Sequence, residues 1–142
     1  MEELKMLEFK DFQTYVGDQY RDLFSVYILA EKAQDLATKN AMLEAALATN
    51  KLKGRETTWI VPAFYIVKAI YNGTPPGSPA RRFVTDLCTS RSIGDISKHV
   101  EHLPRDFVQN LGESINKARP GSLGNIAVQK GIAAYQEKPK EV

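Results

Sequence analysis

A chain of 142 residues, 43% hydrophobic and 25% charged, has the length and composition of one globular domain, which excludes a disordered or fibrous class for the whole. Nineteen Lys and Arg stand against seventeen Asp and Glu. Residues 1–117 carry fifteen of each sign, so the excess of +2 lies in the C-terminal segment, and no face is obliged to be strongly basic. Nucleic acid and anionic membranes are therefore not expected partners. The single cysteine, Cys88, excludes an intramolecular disulfide and a thiolate metal cluster. The start, Met-Glu-Glu-Leu-Lys, lacks the basic and apolar regions of a secretory signal, and no window nears the roughly 18 apolar residues of a membrane span. Cytosol or nucleus is the expected location.

Leu7, Phe9, Phe12, Tyr15 and Val16 suggest a short amphipathic helix that Gly17 interrupts. From Tyr20 to Asp35, apolar residues at Leu23, Val26, Tyr27, Ala30 and Ala33 recur three and four apart, with Phe24, Ile28 and Leu29 widening the stripe, the signature of one broad helix face. Leu36 to Leu52 is rich in Ala, Leu and Met, strong helix formers, and predicts a second helix that Gly54 stops. Thr57 to Val61 are β-branched or aromatic and suit an extended segment; Pro62 suits the first turn of a helix. Phe64, Val67 and Tyr71, with Ile66 and Ile70, form that helix, which Asn72-Gly73 ends.

Three prolines and two glycines make residues 73–79 a loop. Ser78 is then an N-cap and Pro79 a first-turn residue for a helix burying Phe83, Val84, Leu87 and Cys88. Ser92 caps a short helix through Ile93, Ile96, Val100 and Leu103, bounded by Pro104. Phe107, Val108, Leu111 and Ile115 mark a further helix, with Asp106 at its positive end and a close near Lys117. The result is an all-α domain over residues 1–118, an irregular bundle of five to seven helices. Residues 119–142 are expected to be a flexible tail in which Ile126 to Tyr135 forms at most a weakly docked turn.

No pattern for catalysis or a cofactor emerges. His99 and His102 are three apart, but a zinc site needs three or four ligands and nothing else completes one. Cys88 sits on an apolar stripe, which makes it a buried thiol rather than a nucleophile. The loop before Ser78, with Arg81 and Arg82 after it, has the outline of a phosphate cradle. Its prolines remove the N–H donors that a cradle uses, and no phosphate-loop lysine is present. One of the two arginines can reach a buried carboxylate while the other stays solvated, with Asp86, at i+4 from Arg82, the simplest partner. Trp59 and Tyr65 fall where periodicity is weakest, and with Phe64 beside Trp59 they are candidate interface residues.

The segment Ser25–Leu47, SVYILAEKAQDLATKNAMLEAAL, resembles the helical run that follows the strand-rich core in BTB/POZ proteins, the fungal ones above all. Ile70–Leu87, IYNGTPPGSPARRFVTDL, is similar to a later stretch of the same proteins: a tyrosine, a Gly-Thr-Pro loop, then Ser-Pro and a double-arginine helix. Leu103–Phe107, LPRDF, matches a third element. The resemblance covers residues 20–117 in order and implies the helical half of such a domain, acting as a non-catalytic protein-binding or assembly module. Nothing before Tyr20 resembles the strands through which BTB domains dimerise, so dimerisation and cullin binding do not carry over. Ser90-Arg-Ser-Ile-Gly-Asp also departs from the aromatic residues usual there. A homo-oligomer or another protein is the implied partner. The alternative is a small nucleic-acid-binding regulator using Lys51, Lys53, Arg55, Arg81, Arg82 and Arg91.

Overall fold

The computed structural model describes residues 9–52, 60–89, 100–117 and 126–139. Six α-helices lie among the described residues: α1 (Phe9–Ala33), α2 (Leu36–Lys51), α3 (Phe64–Gly73), α4 (Pro79–Thr89), α5 (Arg105–Lys117) and α6 (Ile126–Lys130). Two single 3-10 turns, Val100–His102 and Ile132–Tyr135, complete them, with no strand among the described residues. The all-α expectation of five to seven helices holds.

Gly17 does not interrupt the chain: α1 runs unbroken through it. A glycine inside a helix costs about 0.5–1 kcal/mol, whereas Phe12, Val16, Tyr20, Phe24 and Tyr27, all at most 2% exposed, fall on one continuous stripe across it. Burial of several large side chains at about 1.5–3 kcal/mol each exceeds that cost. A Cβ at Gly17 meets nothing within 4 Å. Gly17→Ala is therefore expected to raise the unfolding free energy by about 0.5–1 kcal/mol, seen as a Tm increase of about 2–4 °C in a calorimetric scan.

The end of α1 is a left-handed residue. Gln34 has φ 55, its amide donates to Glu31 O and that of Asp35 donates to Ala30 O, the bond pair of a Schellman turn. Asp35 then caps α2, its carboxylate accepting from the Thr38 amide (3.1 Å) and hydroxyl (2.6 Å). Those bonds hold the Asp35 carboxyl below the usual carboxylate range. The two helices fold back on one another, and Tyr20, Asn50 and the Ile60 carbonyl tie their far ends together: Tyr20 Oη donates to Ile60 O (2.8 Å), while Asn50 Nδ2 donates to Tyr20 Oη (3.0 Å) and Ile60 O (3.2 Å).

Ile60 to Ala63 are not helical, so Pro62 precedes α3 rather than opening it. The third helix ends at Gly73 as expected, and that glycine has a further part. It is the last residue of α3, and a Cβ there would come within 2.7 Å of Ile28. Its small size lets α3 approach α1. What ends the helix is Pro75, which drives Thr74 to φ −135, ψ 154. Gly77 is the left-handed glycine of the loop, with φ 78. Ser78 caps α4 as expected, its hydroxyl accepting from Ala80 N at 3.2 Å.

Nine of the eleven α4 residues are buried, which makes α4 the central helix. Phe83 stacks near Phe24 of α1 (6.3 Å) and edge-on to Tyr135 (5.2 Å). The helix α5 runs from Arg105, just after Pro104, to Lys117 as its pattern predicts and buries Phe107 and Leu111. The helix expected from Ser92 lies outside the described residues apart from its last ones, a 3-10 turn with Val100 exposed and Leu103 buried. The docked turn anticipated at Ile126 to Tyr135 extends to residue 139 and belongs to the packed unit: Ala127 and Tyr135 are at most 1% exposed and join the main core. The rest of the expected tail, 118–125 and 140–142, lies outside the described residues.

Candidate functional site

Arg81 and Arg82 separate as the sequence suggests, but not to the partners it suggests. Arg81 is 7% exposed and turns back over the end of α3. Its Nη2 donates to Tyr71 O (2.8 Å) and Thr74 O (2.6 Å), its Nε donates to the Thr74 hydroxyl (3.2 Å), and its guanidinium lies 4.4 Å from the Tyr71 ring centre. The last carbonyls of a helix lack intrahelical donors, and here a planar cation supplies them. The carboxylate nearest to Arg81, Asp106, is exposed and 3.9 Å away. Arg82 is exposed and donates to Ala134 O at 3.1 Å. Asp86 does not pair with Arg82: it is buried and accepts from Lys130 Nζ (3.0 Å) and Tyr135 Oη (2.7 Å).

These contacts make the C-terminal segment a strap across α2 and α4. Along it, Asn40 of α2 pairs with the main chain of residue 137 in both directions, Nδ2 donating to Glu137 O and Oδ1 accepting from Glu137 N, each at 3.0 Å. Gln136 Nε2 donates to Asn40 O at 3.3 Å. Lys39, 7% exposed, lies between two carboxylates, Glu31 of α1 and Glu137, the latter at 2.8 Å. Burial acts to lower its ammonium, but the bonds to Glu137 and Glu31 outweigh it and raise the group above its ordinary value. The Tyr27 ring lies 5.7 Å beneath. The Tyr27 hydroxyl is held up by burial close to Ser78, with which it makes no bond of standard geometry.

Two clefts flank the strap. One, of about 460 Å³, opens between α4, α5 and α6 and is lined by Arg82, Asp86, Asn110, Glu113, Lys117 and Lys130. The other, of about 540 Å³, lies beside Lys39 and Glu137, with Glu31, Gln34, Pro75 and Pro76 as walls. Both sizes fall in the range of small-ligand sites.

Cys88 is buried at 2% exposure, and His102 is exposed in the 3-10 turn. His99 lies outside the described residues. Among the described residues no three His, Cys, Asp or Glu side chains group as metal ligands, and no helix is long and apolar enough to cross a membrane.

Of the residues considered for a phosphate-binding surface, Lys53, Arg55 and Arg91 are outside the described residues. Lys51 is exposed at the end of α2, and Arg81 is spent on carbonyls. Trp59 is likewise outside. Phe64 is half-buried against the core, and Tyr65 is exposed at 59%.

Sequence reasoning passed over a further set on α1. Tyr15, Val26 and Leu29 are 40%, 41% and 65% exposed, and their spacings of eleven and three bring them to one side of the helix. The sequence pattern puts all three on apolar faces, Tyr15 in the first segment and Val26 and Leu29 in the broad stripe, because a helix with apolar residues on two adjoining faces reads as one wide face. Scans against protein-family models, curated proteins and solved structures find no match to this chain.

Proposed function

We propose that this protein is a non-catalytic interaction module resembling the helical half of a BTB/POZ adaptor, and that it binds a protein partner through the exposed face of α1. The observation that carries the reading is that Tyr15, Val26 and Leu29, three large apolar side chains, are left in water on one side of a helix whose neighbouring face is packed. Exposed single hydrophobics are ordinary, whereas several on one helix side, with Val26 and Leu29 adjacent at i and i+3, suit an interaction site. Asp18 and Asp22 lie on the same side between Tyr15 and that pair and bond to exposed Arg21, so a partner meets an apolar pair, acids and a tyrosine.

A photo-reactive residue placed at position 29 of the intact chain in cells is expected to yield a discrete cross-linked species. Adding Val26→Asp should reduce it at least tenfold. A control at exposed Ala41 of α2 should yield none. Equal labelling from positions 29 and 41 refutes the reading.

A further inference from the structure

The strap is read by α2 and α4 as a bound peptide is read. Its main chain is engaged by side chains from elsewhere: the Asn40 amide takes both the N–H and the carbonyl of residue 137, and Arg82 takes the carbonyl of Ala134. Such contacts accept any sequence whose main chain can follow the same path. Selectivity enters at two points. An aromatic ring enters beside Phe83, with the Asp86 carboxylate at the end of its pocket to accept a phenolic hydroxyl. Two residues further on, Lys39 meets a carboxylate.

The receiving residues have partners besides residues 132–139. Glu31 holds Lys39 from α1, and Lys130, at the end of α6 and before that stretch of the strap, holds Asp86. The groove's charges are therefore retained if Tyr135 and Glu137 withdraw. Space also continues past the strap, in the 540 Å³ cleft walled by Pro75 and Pro76 beside Lys39, where residues flanking a bound peptide can lie.

We propose that the groove between α2 and α4 is a peptide-binding site for segments that present a tyrosine at the end of a 3-10 turn and, two positions later, a carboxylate, as Tyr135 and Glu137 are presented. Residues 132–139 are its occupant in cis, and a partner segment of the same pattern competes with them. This site is separate from the α1 face, and its test reads the groove alone, so either proposal can fail without the other.

A tethered occupant acts at an effective concentration on the order of millimolar, so the groove of the wild-type chain is largely closed to an outside peptide. Glu137→Lys sets a like charge against Lys39 at a surface position and weakens the strap without touching the groove. A fluorescein-labelled peptide with the sequence of residues 131–140 is titrated, by polarisation, against the full-length wild-type and Glu137→Lys proteins. Saturable binding at least tenfold tighter to Glu137→Lys is expected. Replacing the peptide's tyrosine by alanine, its glutamate by lysine, or Asn40 of the protein by alanine should each cost at least tenfold. Equal affinity for the two proteins, or tolerance of both peptide changes, overturns the proposal.

Amide hydrogen exchange on the wild type supplies a measurement independent of any variant. The Glu137 amide should exchange at least a hundredfold faster than that of Tyr27, by local opening of the strap. Exchange at the rate of the core shows an inseparable strap and overturns the proposal, as does a wild-type dimer whose straps trade between differently labelled copies.

Discussion

Arg81→Met is expected to lower the unfolding free energy by about 3–5 kcal/mol, because bonds from a charged donor contribute about 1.5–3 kcal/mol each and a buried acceptor left bare costs about 1–3 kcal/mol more. The acceptors at stake are Tyr71 O and Thr74 O, at 2.8 and 2.6 Å from Nη2. Methionine fills much of the same volume, so the loss isolates the polar contacts from packing. The Tyr71 ring under the guanidinium also loses its cation, although its hydroxyl keeps Asn110 (2.8 Å) and the Thr85 hydroxyl (3.2 Å). Arg81→Lys should recover less than half of the loss, since one ammonium cannot span the two carbonyls and the Thr74 hydroxyl as a planar fork does. Urea unfolding followed by circular dichroism measures both variants. A loss under about 1 kcal/mol for Arg81→Met, the size of a single neutral hydrogen bond, rules out the carbonyl-capping role.

That arginine also marks where the sequence stopped being readable. Ser78, Pro79, Pro104 and the end at Lys117 were legible because caps and prolines act within a turn or two of their own position. Arg81 looked like half of an ion pair, yet its partners are main-chain oxygens seven and ten residues back, and every residue type presents the same oxygen. Asn40 and Glu137 meet across ninety-seven residues, and nothing local to either announces it. Asp86 seemed to belong with Arg82 at i+4, but Arg82 is drawn out to Ala134 while the docked strap brings Lys130 and Tyr135 to the carboxylate.

Of the two glycines, Gly17 misled, because its propensity cost is outweighed by the core, whereas Gly73 ends its helix where the sequence puts the stop but is small for the sake of Ile28. The left-handed residue that does end a long helix is Gln34, a type with no special liking for that region. The boundary before Leu36 was readable; its mechanism was not.

Tyr135→Ala should be as damaging as the loss of Arg81, by about 3–5 kcal/mol, the range for truncating a buried aromatic. Tyr135 is 1% exposed, edge-on to Phe83, and its hydroxyl reaches Asp86 at 2.7 Å. Tyr135→Phe separates the two contributions: the ring stays, Asp86 keeps Lys130, and the expected loss is only about 1–2 kcal/mol. Alkaline pH gives a second reading of the same contact. Burial, then the bond and charge of Asp86, push the Tyr135 phenol far above the ordinary tyrosine range. Burial does the same for Tyr20 against the opposing bond from Asn50, and burial raises Tyr27. A phenol with a raised pKa in the folded state contributes stability that is complete below the unfolded value of about 10 and is lost as pH rises beyond it. Tyr20 and Tyr27 should therefore ionise only together with loss of helical circular dichroism, and Tyr135 once its strap undocks, as followed by tyrosinate absorbance between about pH 10 and 13. Tyr135→Phe should leave one fewer late phenol than the wild type. An unchanged number in that variant would mean that Tyr135 ionises freely in the folded chain and that the strap does not bury it.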